Sequence, residues 1–225
     1  MIKMVVFDMA GTILNEDNVV YKTLQKAINE KGFALSLDQV LAEGAGKEKL
    51  QAIKGILSVY TQQNDDNVAN EIYDRFIMYL KEAYKTLEIL PQDNAEDVFG
   101  KLKEKGILVV FNTGYNTETA QSLLTKLGWE KGVQYDDLVT ASDVDHNRPD
   151  PDMIWLAMER YGITDSHEVA KVGDSIIDVE EGKNAGCSLT VGITTGAHTF
   201  EQLQSAKPDH IINKLAELLP LLSPA

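Results

Sequence analysis

The residues whose types could do chemistry together stand in a few short segments. Asp8 closes the apolar run Val5–Phe7 and is followed by Met9-Ala10-Gly11-Thr12. An aspartate at a strand tip can present its carboxylate to a ligand. Two residues on, where a second carboxylate could serve as a proton donor, stands the methyl group of Ala10. The segment therefore offers a nucleophile with no acid beside it, and a leaving group must depart without a proton from position 10. Ile107–Phe111 runs into Asn112-Thr113-Gly114-Tyr115, and Arg148-Pro149 precedes a helical pattern that begins at Pro151. Val169–Val172 runs into Gly173-Asp174-Ser175, with Asp178 four residues after Asp174.

These types fit one kind of chemistry. Asp8, Asp174 and Asp178 are oxygen donors, which suit Mg²⁺ rather than a soft metal, and Mg²⁺ needs only one or two carboxylates besides water and substrate oxygens. The Thr113 hydroxyl with the neighbouring N–H of Gly114 suits a phosphoryl oxygen. The planar fork of Arg148 can bridge a carboxylate and a phosphoryl group. A nucleophile, an oxyanion cradle, a cation and a divalent metal describe phosphoryl transfer. Singly, Asp8 reads equally as a strand-end cap, and Asp174 with Asp178 as a helix N-terminal pair favoured by the dipole. Taken with Asp8, the metal reading of the pair is the stronger.

The elements that must position these groups can be read from periodicity. Short β-rich apolar runs occur at Met4–Phe7, Ile107–Phe111, Asp137–Thr140, Val169–Val172, Leu189–Ile193 and His210–Ile212. Helical patterns separate them at Ala95–Lys105, Thr117–Leu127, Pro151–Tyr161, Asp178–Asn184 and Phe200–Ser205. Alternating strands and helices predict an α/β fold with a doubly wound, mostly parallel sheet covered on both faces. Such sheets bind ligands beyond the carboxyl ends of their strands, where every segment above falls. From Glu16 to Leu87 the alternation stops and apolar residues take helical spacing. This predicts an inserted all-helical domain over residues 15–87, hinged near Leu14–Asp17 and Leu87–Asp93, with residues 1–14 and 88–225 forming the core. Pro220–Ala225 reads as a frayed tail.

Composition narrows the function classes. The chain has 225 residues and a net charge of −14, which disfavours nucleic acid and anionic membranes as partners. Cys187 is the only cysteine, so neither a disulfide framework nor a cysteine zinc site is expected. No secretory pattern opens the sequence and no apolar run approaches a membrane span, so a reducing, cytoplasmic setting is expected. The four histidines lack metal-ligand spacing and read as surface or loop residues, His146 beside Arg148 being the one that could approach substrate. Trp129 and Trp155 read as packing residues, and Cys187 as buried and inert. Tyr73, Phe76, Tyr79 and Leu80 form a helical apolar face, read as core of the insertion or as a surface for a homodimer.

The four segments resemble the motifs of the haloacid dehalogenase superfamily: D-x-x-x-T at Asp8–Thr12, a strand-end Thr at 113, a basic residue before Pro at 148, and G-D-x-x-x-D at Gly173–Asp178. They occur in family order and span nearly the whole chain. The resemblance implies a Rossmann-like core with a type-1 helical cap, and a Mg²⁺-dependent hydrolase acting through an aspartyl-phosphate on Asp8. It implies metal ligation by Asp8, the Ala10 backbone carbonyl and Asp174, with Asp178 a direct or outer ligand. Substrate contacts are expected from Gly11, Thr12, Gly114 and Tyr115, and catalytic roles for Thr113 and Arg148.

Ala10, Arg148 and Asn112-Thr113-Gly114-Tyr115 are similar to the family's phosphonatase branch, which hydrolyses the C–P bond of phosphonoacetaldehyde. Gly44-Ala45-Gly46-Lys47 matches that branch's G-x-x-K, whose lysine forms a Schiff base with the aldehyde. An iminium on the carbon next to the breaking bond takes up the electron pair, which removes the need for an acid at position 10. Leu50 stands where the branch has a histidine three residues after the lysine, and Asn18 roughly where it has a cysteine. The expected substrate is a small phosphonate. The alternatives are a small phosphorylated metabolite with a good leaving group or, in another class, a catalytically inert binding or regulatory protein on the same fold.

Overall fold

The computed structural model describes residues 1–222. Its main sheet is built from β1 (Met4–Asp8), β4 (Leu108–Thr113), β5 (Asp137–Thr140), β6 (Val169–Gly173), β7 (Leu189–Ile193) and β8 (His210–Ile212). The strand order is β5-β4-β1-β6-β7-β8, and every pairing is parallel. β1 is central and buried along its whole length, as expected of a strand covered on both faces. Its side chains alternate between two cores. Val5 and Phe7 join a large cluster with Phe99, Phe111 and Trp129, while Met4 and Val6 join a second with Met153, Ile154 and Ala157. The Phe99 ring lies 5.6 Å from Phe7 and 5.4 Å from Trp129, both edge-on, the arrangement aromatic quadrupoles favour.

The crossovers are α5 (Ala95–Glu104), α6 (Thr117–Leu127), α7 (Asp152–Arg160), α8 (Ile176–Ala185) and α9 (Phe200–Ser205), with a short α10 (Leu218–Leu221) at the end. Their ends are set by local chemistry. The Asn116 side chain accepts from Thr119 N–H to open α6, and Gly128, at φ 68°, closes it. Pro220 lies within α10, and Leu218 and Leu222 are buried. Leu221 and Leu222 are thus packed rather than frayed, because their apolar side chains still find core to cover, while Pro220 is exposed; the remainder of the expected tail lies outside the described residues.

Between β1 and α5 run four helices, α1 (Val19–Asn29), α2 (Leu37–Gly44), α3 (Lys49–Thr61) and α4 (Asp66–Thr86). They bury Leu24, Ile28, Val40, Ile53, Ile56, Ile72 and Phe76 against one another. In α4, Phe76 and Leu80 are buried while the Tyr79 hydroxyl donates to Glu30 at 2.7 Å. The segments leading into and out of these helices pair as a two-stranded antiparallel ribbon, β2 (Leu14–Asn15) and β3 (Leu90–Pro91). Residue pattern gave no sign of it, because two-residue strands carry no periodicity. Trp155, expected as packing, is half exposed and its indole N–H donates to the Ala185 carbonyl at 3.3 Å. Among the described residues no helix is long and apolar enough to cross a membrane.

Candidate active site

The carboxyl ends of β1, β4 and β6 meet at one point. Asp8 is paired in register with Asn112, and Thr113 and Gly173 close their strands beside it. After Asp8 the chain turns sharply: Ile13 N–H donates to the Met9 carbonyl and Gly11 N–H to the Leu14 carbonyl. Gly11 sits at φ 84°, and a Cβ there would lie 2.3 Å from Asp174 Oδ2. Only glycine both accepts that backbone conformation and leaves room for the acidic pair. Thr12, fully buried, carries a hydroxyl with no protein partner. The Thr113 hydroxyl accepts from Tyr115 N–H at 3.2 Å.

Beneath these groups lies a buried ionic network. Arg148 is fully enclosed. Its Nη1 lies 2.7 Å from Asp8 Oδ1 and 2.9 Å from Asp178 Oδ1, its Nε 2.9 Å from Glu181, and its Nη2 2.5 Å from the Asn112 side-chain carbonyl. Lys171, in the middle of β6, reaches the same Asn112 oxygen at 2.7 Å, Asp178 at 3.0 Å and Glu181 at 3.2 Å. Burial pushes the Asp178 carboxyl up, but Arg148 and Lys171 more than offset this and hold it below its usual range. The Asp8 and Asp174 carboxyls are both raised, first by burial and then by repulsion from neighbouring carboxylates.

This donor set fits a divalent cation. Asp8, Asp174 and Asp178 each place a carboxylate oxygen within 4.8 Å of the others. Counting Glu181, four buried carboxylates face two buried cations, Arg148 and Lys171. Leaving such an excess uncompensated away from water is costly, and a hard cation offsets it. Asp178 is already held by Ser175 as well as by the two cations. Asp8 and Asp174 are the less encumbered pair, although Asp174 Oδ2 accepts from Ala197 N–H at 2.6 Å.

The helical insertion supplies the opposite wall. Asp8, Ala10, Thr113, Gly114 and Tyr115 enclose a small cavity with Tyr21, Gly46 and Lys49 from the insertion. The two parts approach backbone to backbone. A Cβ on Gly46, which sits at φ 74°, would lie 2.4 Å from Ser175 Oγ, and one on Gly114 would lie 2.7 Å from the Lys47 carbonyl.

Here the structure departs from the expectation for Lys47. That ammonium turns away to pair with Glu43 at 2.6 Å and does not line the cavity; its side chain is 24% exposed. Lys49 lines it instead. It is 6% exposed, donates to the Lys47 carbonyl at 2.7 Å, and lies 5.3 and 5.4 Å from the ring centroids of Tyr115 and Tyr21. Burial lowers its pKa to about 8, against the pull of Asp8 and Glu48 and with help from Arg148. The reason is register. Glu48 caps α3 by accepting from Leu50 and Gln51 N–H, so the helix begins at Lys49 and Lys47 stays in the preceding turn. The G-x-x-K spacing occurs twice, at Gly44–Lys47 and at Gly46–Lys49.

The residue pattern does not single out Lys171, Glu181 or Glu16, and it shows Asn112 only as part of the segment leading into Thr113. A lysine inside a strand otherwise buried on both faces was the available signal for Lys171, since an unpaired charge is not tolerated there. His146 stays at the surface, paired with Asp152 at 3.0 Å. His198, expected as a surface or loop residue, lies in the loop after β7 but is buried: its Nδ1 accepts from Ile176 N–H at 2.9 Å, which leaves the proton on Nε2, 3.4 Å from the Leu41 carbonyl. The Cys187 thiol is pushed up to about 12, mainly by burial.

Residues 5–191 match the family model described as haloacid dehalogenase-like hydrolase. A phosphonoacetaldehyde hydrolase of Latilactobacillus sakei is 28% identical, over 99% of this chain and 95% of its own length. One from Parabacteroides distasonis is 31% identical, over 86% and 76% respectively. The crystal structure of a phosphonoacetaldehyde hydrolase-like protein from Oleispira antarctica superposes with a TM-score of 0.83 at 22% identity, covering 98% of this chain and 91% of its own.

Proposed function

The chain belongs to the haloacid dehalogenase-like hydrolases, and on that premise we propose that it cleaves the C–P bond of phosphonoacetaldehyde or a closely related small aldehyde phosphonate, with Asp8 as nucleophile and Lys49 as the Schiff-base amine. The observation that carries this reading is the pairing of a buried, easily deprotonated lysine with a nucleophile that has only a methyl group at position 10.

The chemistry follows from those two groups. Neutral Lys49 adds to the aldehyde; the carbinolamine hydroxyl takes up one proton and leaves as water, and Lys49 becomes an iminium. An Asp8 oxygen then attacks phosphorus; as the new P–O bond forms, the C–P bond breaks and its electron pair moves into the iminium, giving an enamine. No proton is needed at the leaving carbon in that step. Protonation and hydrolysis of the enamine release an aldehyde and free Lys49, and water cleaves the phospho-Asp8 bond. Arg148, 2.7 Å from Asp8 and fully buried, holds the nucleophile in place, its other donors being committed to Asp178, Glu181 and Asn112. The Thr113 hydroxyl and Gly114 N–H face the transferred oxygens, with Gly11 and Thr12 on the other side. Asp8, the Ala10 carbonyl and Asp174 would hold Mg²⁺, with Asp178 behind them; the ion would supply charge neutralisation at the phosphoryl oxygens. Residues 15–87 act in this reading as a cap domain that keeps bulk water from the iminium and from phospho-Asp8.

The test is covalent trapping. Phosphonoacetaldehyde with borohydride should inactivate the protein and place the added mass on Lys49, not Lys47. Lys49→Arg should abolish C–P cleavage, whereas Lys47→Arg should retain it. Asp8→Asn should abolish turnover and lose the beryllium fluoride complex while remaining folded. A protein that hydrolyses activated phosphate esters at the same rate with Arg at 49, and that borohydride leaves active, is a phosphatase instead. One that neither binds Mg²⁺ nor traps beryllium fluoride is a binding protein.

A further inference from the structure

Forming an iminium from a protonated lysine consumes no net proton, but a proton must leave the amine before attack and return to the departing hydroxyl. Among the cavity-lining residues, Asp8, Lys49, Tyr21 and Tyr115 are the ionisable ones, and no histidine is among them. Asp8 is committed to phosphorus. Tyr21 already accepts from Gly46 N–H. Tyr115 leads elsewhere: its hydroxyl lies 3.0 Å from that of Tyr84 on α4, and Tyr84 donates to Glu16 Oε2 at 2.9 Å. Glu16 is 3% exposed, and its other partner is Val20 N–H at 2.9 Å; neither is a cation.

We propose that Glu16 is the proton acceptor at the closed end of a Glu16–Tyr84–Tyr115 hydrogen-bond chain, borrowing a proton from Lys49 as it attacks the carbonyl and returning it to the departing hydroxyl. This rests on the assignment of Lys49 under Proposed function.

The polarity of the chain makes the cycle balance. With Glu16 ionised, Tyr84 spends its only proton on the carboxylate, so Tyr115 must donate to Tyr84, which leaves the Tyr115 oxygen a free lone pair; Lys49 Nζ lies 5.3 Å from the Tyr115 ring centroid, so a water or the carbinolamine hydroxyl would carry the proton between them. When that oxygen takes a proton from the Lys49 side, each hydroxyl passes one on and Glu16 becomes a carboxylic acid. Every bond in the chain is then reversed, and Tyr115 is a donor toward the cavity. The carbinolamine hydroxyl takes that proton and leaves as water, and Glu16 is a carboxylate again. Both phenols are held well above their usual range, chiefly by burial, so they pass protons and do not store charge. Glu16 suits storage: burial raises it to about 7, against hydrogen bonds from Val20 and Tyr84 and the more distant charges of Lys49 and Lys22. Glu16 acts through the tyrosines and touches no substrate, so it is a positioning and relay residue.

Glu16→Gln keeps an oxygen for Val20 and Tyr84 but cannot take the proton, and Tyr84→Phe breaks the chain in the middle. Each should slow borohydride-trappable imine formation with phosphonoacetaldehyde by about 100-fold or more, the usual range for losing general acid–base help. Beryllium fluoride binding at Asp8, read as a Mg²⁺-dependent rise in melting temperature, needs no imine and should persist in both. Imine formation at the wild-type rate in Glu16→Gln overturns the proposal. So does loss of imine formation and beryllium fluoride binding together, which would mark Glu16 as structural. Absence of any trapped imine in the wild type refutes the Lys49 assignment itself, and the relay falls with it.

Discussion

Moving a lysine from 10.5 to about 8 changes what it can do at neutral pH. At pH 7 a lysine of pKa 8 is about 10% neutral, against about 0.03% for an unperturbed one, so Lys49 should present roughly 300-fold more free amine. Site-resolved reductive methylation measures this directly, because formaldehyde is the smallest aldehyde and each lysine is read separately by peptide mass. In protein stripped of divalent ions, the Lys49 rate should climb tenfold per pH unit up to about 8 and then level off. Two perturbations should move that midpoint in known directions. Asp8 stabilises the charged ammonium, so Asp8→Asn should lower the midpoint; an added Mg²⁺ at the acidic cluster should do the same. A Lys49 midpoint near 10, or one that does not move in Asp8→Asn, would refute the link between burial, the nucleophile and amine reactivity.

Further outcomes follow from the same geometry. Mg²⁺ at about a hundred times its Kd should raise the melting temperature by about 5–10 °C, by mass action on a site absent from the unfolded chain, and Asp174→Asn should lose most of that shift. Arg148→Met should cost about 3–5 kcal/mol in urea unfolding, because Asp8 would lose its paired cation and Asp178 and Glu181 would be left to Lys171 alone. Ala10→Asp should raise hydrolysis of simple alkyl phosphates by about 10²-fold by supplying the missing acid, measured as phosphate release; no gain would mean that another group already protonates the leaving oxygen. Gly46→Ala should weaken both folding and substrate binding, since a side chain at φ 74° strains the backbone and its Cβ would clash with Ser175 and Ile177 where the insertion meets the core; an unchanged melting temperature would contradict this.

The sheet and its helical insertion are legible in the residue pattern, and the features that are not share a cause. The strands that run into Asp8, Thr113 and Asp174 announce themselves because a parallel strand is an unbroken apolar run and a polar residue marks where that run stops. Lys49 was hidden by an ambiguity of two residues: both lysines satisfy the same spacing, and only the cap formed by Glu48 decides which one opens the helix. Glu16 looked like a polar hinge residue. Its burial depends on Tyr84 and Tyr115, which are 68 and 31 residues apart from their respective partners and meet only once the chain is folded. Glu181 lies in a helix whose sequence has no clear apolar stripe, so nothing local told its buried face from its wet one.

The ribbon of β2 and β3 has a consequence for how the chain assembles. Leu14 sits opposite Pro91 and Asn15 opposite Leu90, and Gln92 N–H donates to the Ile13 carbonyl at 2.8 Å, so the insertion leaves and rejoins the core at one clasp. To the sheet, the whole insertion is a single long loop whose closure costs about 2–3 kcal/mol more than a tight turn in the same place. The strand register between β1 and β4 is written entirely in the core, and helices α1 to α4 have no part in setting it. The residues between the clasp strands can therefore be lengthened or shortened without changing which residues of β1 and β4 pair.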